Sequence, residues 1–208
     1  IAHGLGKTPD FIIFKNRDAG DNWTTWHKDL TAGYNLILDG NNVQGASGAL
    51  QSPYVDSSFI YLGGTGDSPG DWVSTNTSGE RFVFYAWTGV EGYSKFGSYT
   101  GNNNADGFFV YTGFRPAFLI VKQYSSSNSD AHWYVRDSAR NNHNEVNNAL
   151  GLDITAYENN LGYSQANQGV DFVSNGFKWR NSNQTGNTGA DFIYMAWAEM
   201  PFKYATAR

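Results

Sequence analysis

The residues best suited to binding chemistry in this sequence are tryptophans that lie near loops rich in Asn, Asp and Gly. A tryptophan ring can stack on the apolar face of a pyranose, while short polar side chains bond to its hydroxyl groups. Trp23 and Trp133 occupy equivalent places in an internal repeat, so we assign them structural roles. The predicted glycan- or receptor-binding residues are Trp72, Trp179, Trp26, Asp71 and Asn181. The alternative is that these rings pack in a core, as large aromatic side chains often do.

Sequence patterns that would indicate nucleotide binding, metal binding or serine catalysis are incomplete or lie in the wrong structural context. Gly6-Lys7-Thr8 imitates the end of a phosphate-binding loop, but Pro9 and a predicted strand follow where a helix would have to begin. The four histidines show no i, i+4 spacing, and no cysteine accompanies them. No Gly-x-Ser-x-Gly motif occurs, so a serine hydrolase has no support. We therefore predict a non-enzymatic protein with no catalytic residue, no cofactor and no metal ligand.

The carboxylates leave two alternatives open. A glycosidase needs two carboxyl groups held roughly 5 to 10 Å apart, although most Asp residues here lie in turn-forming contexts where they cap the local backbone. Oxygen-rich loops also suit Ca²⁺, and such loops contain Asp67 with Asp71, and Asn102 with Asp106. No EF-hand spacing accompanies them.

The elements that must position these residues are short strands arranged as an internal duplication. The run Phe82–Trp87 is nearly repeated by Phe192–Trp197, at a spacing of 110 residues. Phe11 and Phe118 begin a second matching pair of strands at a spacing of 107. The difference of three residues falls in a polar loop, where surface hairpins tolerate a change of length. Repeat 1 covers about residues 1–101 and repeat 2 about residues 113–208.

Composition predicts an all-β protein. The 208 residues include 16% aromatic residues, 24 Gly and only 16% charged residues, which favours short strands and tight turns over helices. Runs of six apolar residues are typical of strands covered on both faces. We predict one domain over residues 1–208, an antiparallel, jelly-roll-like β-sandwich made of two sequence-related halves that interlock around a shared core.

Charge and cysteine content limit which partners the chain can bind and in which compartment it folds. The net charge of −5 offers no counterion release on nucleic acid and no attraction to anionic membrane, so neither nucleic acid nor membrane insertion is predicted. The absence of cysteine suits folding in a reducing cytoplasm. The chain begins at Ile1 with neither Met nor an apolar leader, so we expect a soluble piece of a longer protein.

Several segments resemble a domain of the tail and other virion structural proteins of tailed bacteriophages, often marine ones. They are His3–Lys15, Asn22–Lys28, Gly92–Asn102, Ala105–Pro116, Asp137–Asn141 and Tyr194–Arg208. The resemblance covers essentially the whole chain, and it brings no catalytic residues with it.

The resemblance implies a tail-fibre or tail-tip domain that is assembled in the bacterial host cytoplasm and carried on the phage particle. Its expected partners are a host-surface glycan or envelope protein and other virion proteins. We expect a homo-oligomer, with a trimer favoured. The alternatives are a purely structural virion protein, such as a capsid decoration or a fibre spacer, and a polysaccharide-degrading tailspike.

Overall fold

The regular structure of the protein consists of antiparallel β-strands. The computed structural model describes residues 1–46, 50–62, 75–125, 131–158, 168–183 and 185–199, and these residues contain fifteen strands and no helix. The prediction of an all-β, antiparallel, sandwich-like fold is confirmed. The chain divides into two compact units, Ile1–Thr88 and Gly89–Arg208.

The first unit contains a large sheet and a small sheet. Its strands are β1 (Phe11–Asn16), β2 (Thr24–His27), β3 (Tyr34–Ile37), β4 (Gly45–Ala46), β5 (Leu50–Val55), β6 (Ile60–Leu62) and β7 (Phe82–Trp87). The large sheet has the order β4-β3-β2-β1-β7, and β5 pairs with β6 in the small one. The two sheets share a core, in which Ile12, Phe14 and Trp26 of the large sheet pack with Ile60 of the small sheet.

The second unit repeats this plan with longer strands. They are β8 (Ser94–Thr100), β9 (Phe109–Tyr111), β10 (Pro116–Gln123), β11 (Trp133–Asp137), β12 (Leu150–Gly151), β13 (Val170–Val173), β14 (Gly176–Trp179) and β15 (Asp191–Ala198). The large sheet has the order β12-β11-β10-β15-β8, and the small sheet has the order β13-β14-β9. Side chains such as Val121 and Tyr194 from the large sheet pack in one cluster with Phe172, Phe177 and Trp179 from the small sheet.

The strand pairings agree with the predicted sequence repeat residue by residue. β1 pairs with β7 so that Phe11 lies opposite Trp87, and β10 pairs with β15 so that Phe118 lies opposite Trp197. The flanking hairpins match as well, because β1 pairs with β2 and β10 pairs with β11. The spacings of 107 and 110 found in the sequence therefore relate equivalent positions of two sheets.

The predicted boundaries of the repeats differ from those of the units. β8 falls within repeat 1, yet it pairs with β15 in the large sheet of the second unit. Each of the two repeated aromatic strands packs in the core cluster of its own unit, since Phe84 packs against one cluster and Tyr194 belongs to the other. The interlocking of both halves in a single domain stays a prediction.

Candidate binding face

The most chemically varied surface of the second unit is the outward face of its small sheet. Side chains alternate between the two faces of a strand, and Val110 and Phe177 are turned into the core. Their neighbours Phe109, Tyr111 and Lys178 therefore lie on the other side. We call this surface the outer face, and it consists of Phe109, Tyr111, Asp171, Gly176, Lys178 and Arg180, with Lys95 and Asp106 at its margins.

Two aromatic rings on β9 form the apolar part of the outer face. Phe109 is 40% exposed and Tyr111 is 58% exposed, although both belong to a regular strand. Gly176 lies opposite Tyr111 on β14, and a Cβ there would overlap the Val110 carbonyl oxygen and come within 3.0 Å of the Phe109 ring. Glycine at this position therefore lets the strands pair while the Phe109 ring lies over the backbone.

Lys95 fixes the Tyr111 side of the face. Its ammonium group donates a hydrogen bond of 2.8 Å to the Tyr111 carbonyl oxygen and lies 5.0 Å from the centre of the Tyr111 ring. A cation over a tyrosine ring is attracted by the ring quadrupole. The ring is thus held from one side by Lys95 and keeps most of its remaining surface in solvent.

Charged side chains continue the outer face along β14. Lys178 Nζ lies 2.7 Å from Asp106 Oδ1, and Arg180 Nε donates a hydrogen bond of 2.6 Å to Asp171 Oδ2. The hydrogen bond and charge of Lys178 lower the pKa of the Asp106 carboxyl. Ion pairs that are open to solvent contribute little to stability, so these side chains can exchange partners with a ligand at little cost.

A hydrogen-bonded turn positions Asp106 at the margin of the face. The buried side chain of Asn187 donates from Nδ2 to Asn102 Oδ1 and to the Asn104 carbonyl, each at 2.8 Å. Asn102 N in turn donates to Asn187 Oδ1 at 3.1 Å. Asn104 Oδ1 then accepts a hydrogen bond of 2.9 Å from Asp106 N. The Asn residues of this segment therefore build the backbone turn that carries Asp106.

The outer face combines the two kinds of group that carbohydrate recognition uses. Exposed aromatic rings offer flat apolar surface at low entropic cost, because each ring has few rotatable bonds. Carboxylate, ammonium and guanidinium groups next to them supply acceptors and donors for hydroxyl groups. Three cations, Lys95, Lys178 and Arg180, stand against two carboxylates, so the face carries a positive excess on a chain of net charge −5.

The first unit has a smaller counterpart of this face. Phe59 directly precedes β6, and Tyr61 lies within it. Both side chains are exposed, and their ring centres are 6.3 Å apart. Tyr61 Oη donates a hydrogen bond of 2.7 Å to Asp56 Oδ2, which lowers the pKa of Asp56. Exposed rings beside an acidic side chain thus recur at the small sheet of both units.

Of the five predicted site residues, the three in the described part of the chain do not belong to the outer face. The Trp179 ring has no exposed surface, and Trp26 lies in the core of the first unit. Asn181 is buried as well, and its Nδ2 donates to the Gly169 carbonyl at 3.0 Å. Trp72 and Asp71 lie outside the described residues. A ring with no exposed surface cannot stack on a sugar, so in this structure Trp179 supports the face from beneath.

The proposed Ca²⁺ loops can be compared with the structure only in part. Asn102 and Asn104 use their side-chain oxygens as acceptors for backbone N–H groups, which is a structural role. In the described ranges, no group of three or more His, Cys, Asp or Glu side chains is placed to hold a metal ion. Asp67 and Asp71 lie outside the described residues.

The residues that sequence reasoning missed are Phe109 and Tyr111. The run Phe108–Tyr111 indicated an ordered segment, but nothing in it showed that Val110 would be buried and that Phe109 and Tyr111 would be exposed on the outer face. The nearby glycines are the signal that could have found them, because Gly176 and Gly113 both lie against these rings.

No helix in the described part of the chain is long and apolar enough to cross a membrane. No curated protein and no solved structure matches the chain. One family model, described as "Domain of unknown function (DUF7483)", matches residues 1–201. The chain is a member of the DUF7483 family.

Proposed function

We propose that this chain is a non-enzymatic domain of a phage tail fibre or tail tip that attaches the particle to a host-surface glycan. The observation that carries the proposal is the outer face of the second unit, where Phe109 and Tyr111 are exposed on a regular strand beside paired charges. The sequence resemblance to virion structural proteins supplies the biological setting.

The exposure of these rings has an energetic meaning. Burying an aromatic side chain of this size contributes about 1.5 to 3 kcal/mol, and both rings forgo part of that gain on the free chain. A sugar that covers them recovers it, and hydrogen bonds to the neighbouring charged groups orient the sugar. Glycan adhesion uses both parts of the surface.

Three carboxylates of the second unit form ion pairs with Lys or Arg side chains. Asp106 pairs with Lys178, Asp171 pairs with Arg180, and Asp137 Oδ2 accepts a 2.7 Å hydrogen bond from Arg140 Nε. A pair of glycosidase carboxyl groups needs one member with a raised pKa to act as the acid. The pKa of Asp106 is instead lowered by its lysine partner, which favours binding over hydrolysis.

A glycan array with the full chain tests this proposal. The wild-type chain is expected to bind at least one bacterial envelope glycan, and the double substitution Phe109→Ala with Tyr111→Ala is expected to weaken that binding by at least about tenfold, or 1.4 kcal/mol. The matched control is Tyr157→Ala, because Tyr157 is 74% exposed and does not belong to the outer face.

Circular dichroism must show that all three chains are folded. Absence of binding to any glycan and to host cells would refute adhesion. If the double variant and Tyr157→Ala lost the same amount of glycan binding, the outer face would not be the binding site. Labelled antibodies on intact particles would locate the chain and distinguish an adhesive tip from a capsid decoration or a fibre spacer.

A further inference from the structure

The strand β7 ends the large sheet of the first unit with one side unpaired in the described part of the chain. The sheet order is β4-β3-β2-β1-β7, and among the described strands the residues Phe82–Trp87 pair only with β1. Arg17 N donates to the Arg81 carbonyl at 2.8 Å, so the antiparallel alternation turns the N–H and C=O groups of Val83 and Tyr85 toward β1. The corresponding groups of Phe82, Phe84 and Ala86 point to the open side.

This edge has none of the features that usually protect an open edge. Natural edge strands carry lysine, proline or a β-bulge, or are very short. The six residues of β7 are all apolar or aromatic, and their pairing with β1 shows no register shift. An apolar, regular edge of this kind is suited to accept another strand.

The second unit shows what covers the equivalent strand. β15 matches β7 at a spacing of 110, and it is paired on its far side with β8 over seven residues. Tyr194, the counterpart of Phe84, lies opposite Gly97 of β8. A Cβ on Gly97 would lie 2.8 Å from the Tyr194 ring, so this position of the covering strand has to be glycine.

The first unit has no described strand that corresponds to β8. In the second unit β8 ends at Thr100, 16 residues before Pro116, which starts β10. Pro9 is the counterpart of Pro116, and among the described residues the segment 1–8 before it contains only an isolated bridge, between Ala2 and Phe59. The strand that would cover β7 is therefore absent from the described residues.

We propose that β7 accepts an antiparallel strand of the β8 type from another polypeptide. The partner is an extended segment that resembles Ser94–Thr100, with glycine opposite Phe84 and with small and aromatic residues around it. Main-chain hydrogen bonds to Phe82, Phe84 and Ala86 supply the affinity, and the glycine supplies the specificity. A second β7 fits less well, because only its residues with outward main-chain groups can lie opposite Phe84. These are Phe82, Phe84 and Ala86, and none of them is the glycine that lies opposite Tyr194 in the second unit.

The test uses the full chain labelled for NMR and a synthetic peptide with the sequence of residues 92–102. Adding the peptide is expected to slow amide exchange at Phe82, Phe84 and Ala86. The same peptide with Gly97→Val is expected to bind at least about tenfold more weakly, because the valine side chain would overlap the Phe84 ring.

The chain variant Ala86→Pro removes an N–H group that points outward and makes no hydrogen bond to β1. Proline is tolerated at such edge positions. This variant is expected to keep its circular dichroism spectrum and to lose peptide binding.

Three results would overturn the proposal. Protection of the Phe82, Phe84 and Ala86 amides without peptide would show that the chain covers its own edge. Changes confined to Asp191–Ala198 would show that the peptide exchanges with β8 in the second unit. Self-association that Ala86→Pro abolishes would show that a second β7, and not a strand of the β8 type, is the partner.

Discussion

Lys122 is a buried cation, and its replacement by Met should change how stability depends on pH. Its side chain has no exposed surface, its Nζ donates a hydrogen bond to the Ala131 carbonyl, and it lies 5.9 Å from the centre of the Trp133 ring. Burial lowers the pKa of Lys122 from 10.5 to about 8, and the attraction of Asp153 offsets this only in part. The folded protein therefore holds a charge that it accommodates poorly.

The sign and size of the effect follow from proton linkage. Between pH 8 and 10.5 the folded state binds fewer protons at Lys122 than the unfolded state, so the free energy of unfolding rises with pH across this window. Each pH unit corresponds to about 1.36 kcal/mol, which gives a rise on the order of 3 kcal/mol over the full window. Below pH 8 both states are protonated, and the contribution is constant.

The assay is urea unfolding at a series of pH values from 7 to 10.5, followed by tryptophan fluorescence. Subtracting the curve of Lys122→Met from that of the wild type cancels all other titrating groups, and the difference should rise by about 2 to 3 kcal/mol. The matched control is Lys15→Met, because Lys15 is the repeat-equivalent lysine and is only partly buried. In Lys15→Met the free energy of unfolding should still rise with pH as it does in the wild type, because Lys122 remains. A flat difference for Lys122→Met would refute the reasoning.

Three further predictions concern single side chains. Asn187→Ala should destabilise the protein by about 1 to 3 kcal/mol, because the buried carbonyl of Asn181 loses its donor, and urea unfolding that shows less than about 0.5 kcal/mol would contradict this. Arg81→Ala should raise the pKa of Asp18 from about 2 part of the way toward 3.8, because the side-chain hydrogen bond of Arg81 is the largest cause of the low pKa, while the bond from the Arg81 backbone N–H remains; an unchanged NMR titration would exclude the side chain as the cause. Trp179→Ala should cost about 3 to 5 kcal/mol by opening a cavity in the core, and a variant with wild-type stability in thermal unfolding would disprove the core role.

The strands of this fold were predictable because their sequence signal is local and occurs twice. Six apolar residues in a row indicate a strand, and the repeat of Phe82–Trp87 at Phe192–Trp197 made the assignment independent of either copy. The expected coverage of both faces holds for most of β15 but not for β7, where Tyr85 is 49% exposed. The structure adds that the two copies pair alike, β7 with β1 and β15 with β10, in the register that the repeat relates.

The candidate site was much less predictable, because the choice of strand face depends on distant residues. In β14 the Trp179 ring points inward and Lys178 points outward, and a shift of one residue would exchange them. Gly186 leaves room for the ring of Trp179, and Gly107, which is distant in sequence, leaves room for the Cβ and carbonyl oxygen of Trp179. A pattern of residue types near a loop cannot show that such a cavity exists.

The position of β8 and β15 has a consequence for how the chain acquires its structure during synthesis. All strands of the first large sheet are available once the ribosome has passed Trp87. The second large sheet depends on β15, which ends at Ala198, to join β10 to β8. β8 therefore emerges about ninety residues before β15, the one strand with which it pairs among the described residues. Until then its main-chain groups lack that partner, and the exposed strand is prone to aggregation.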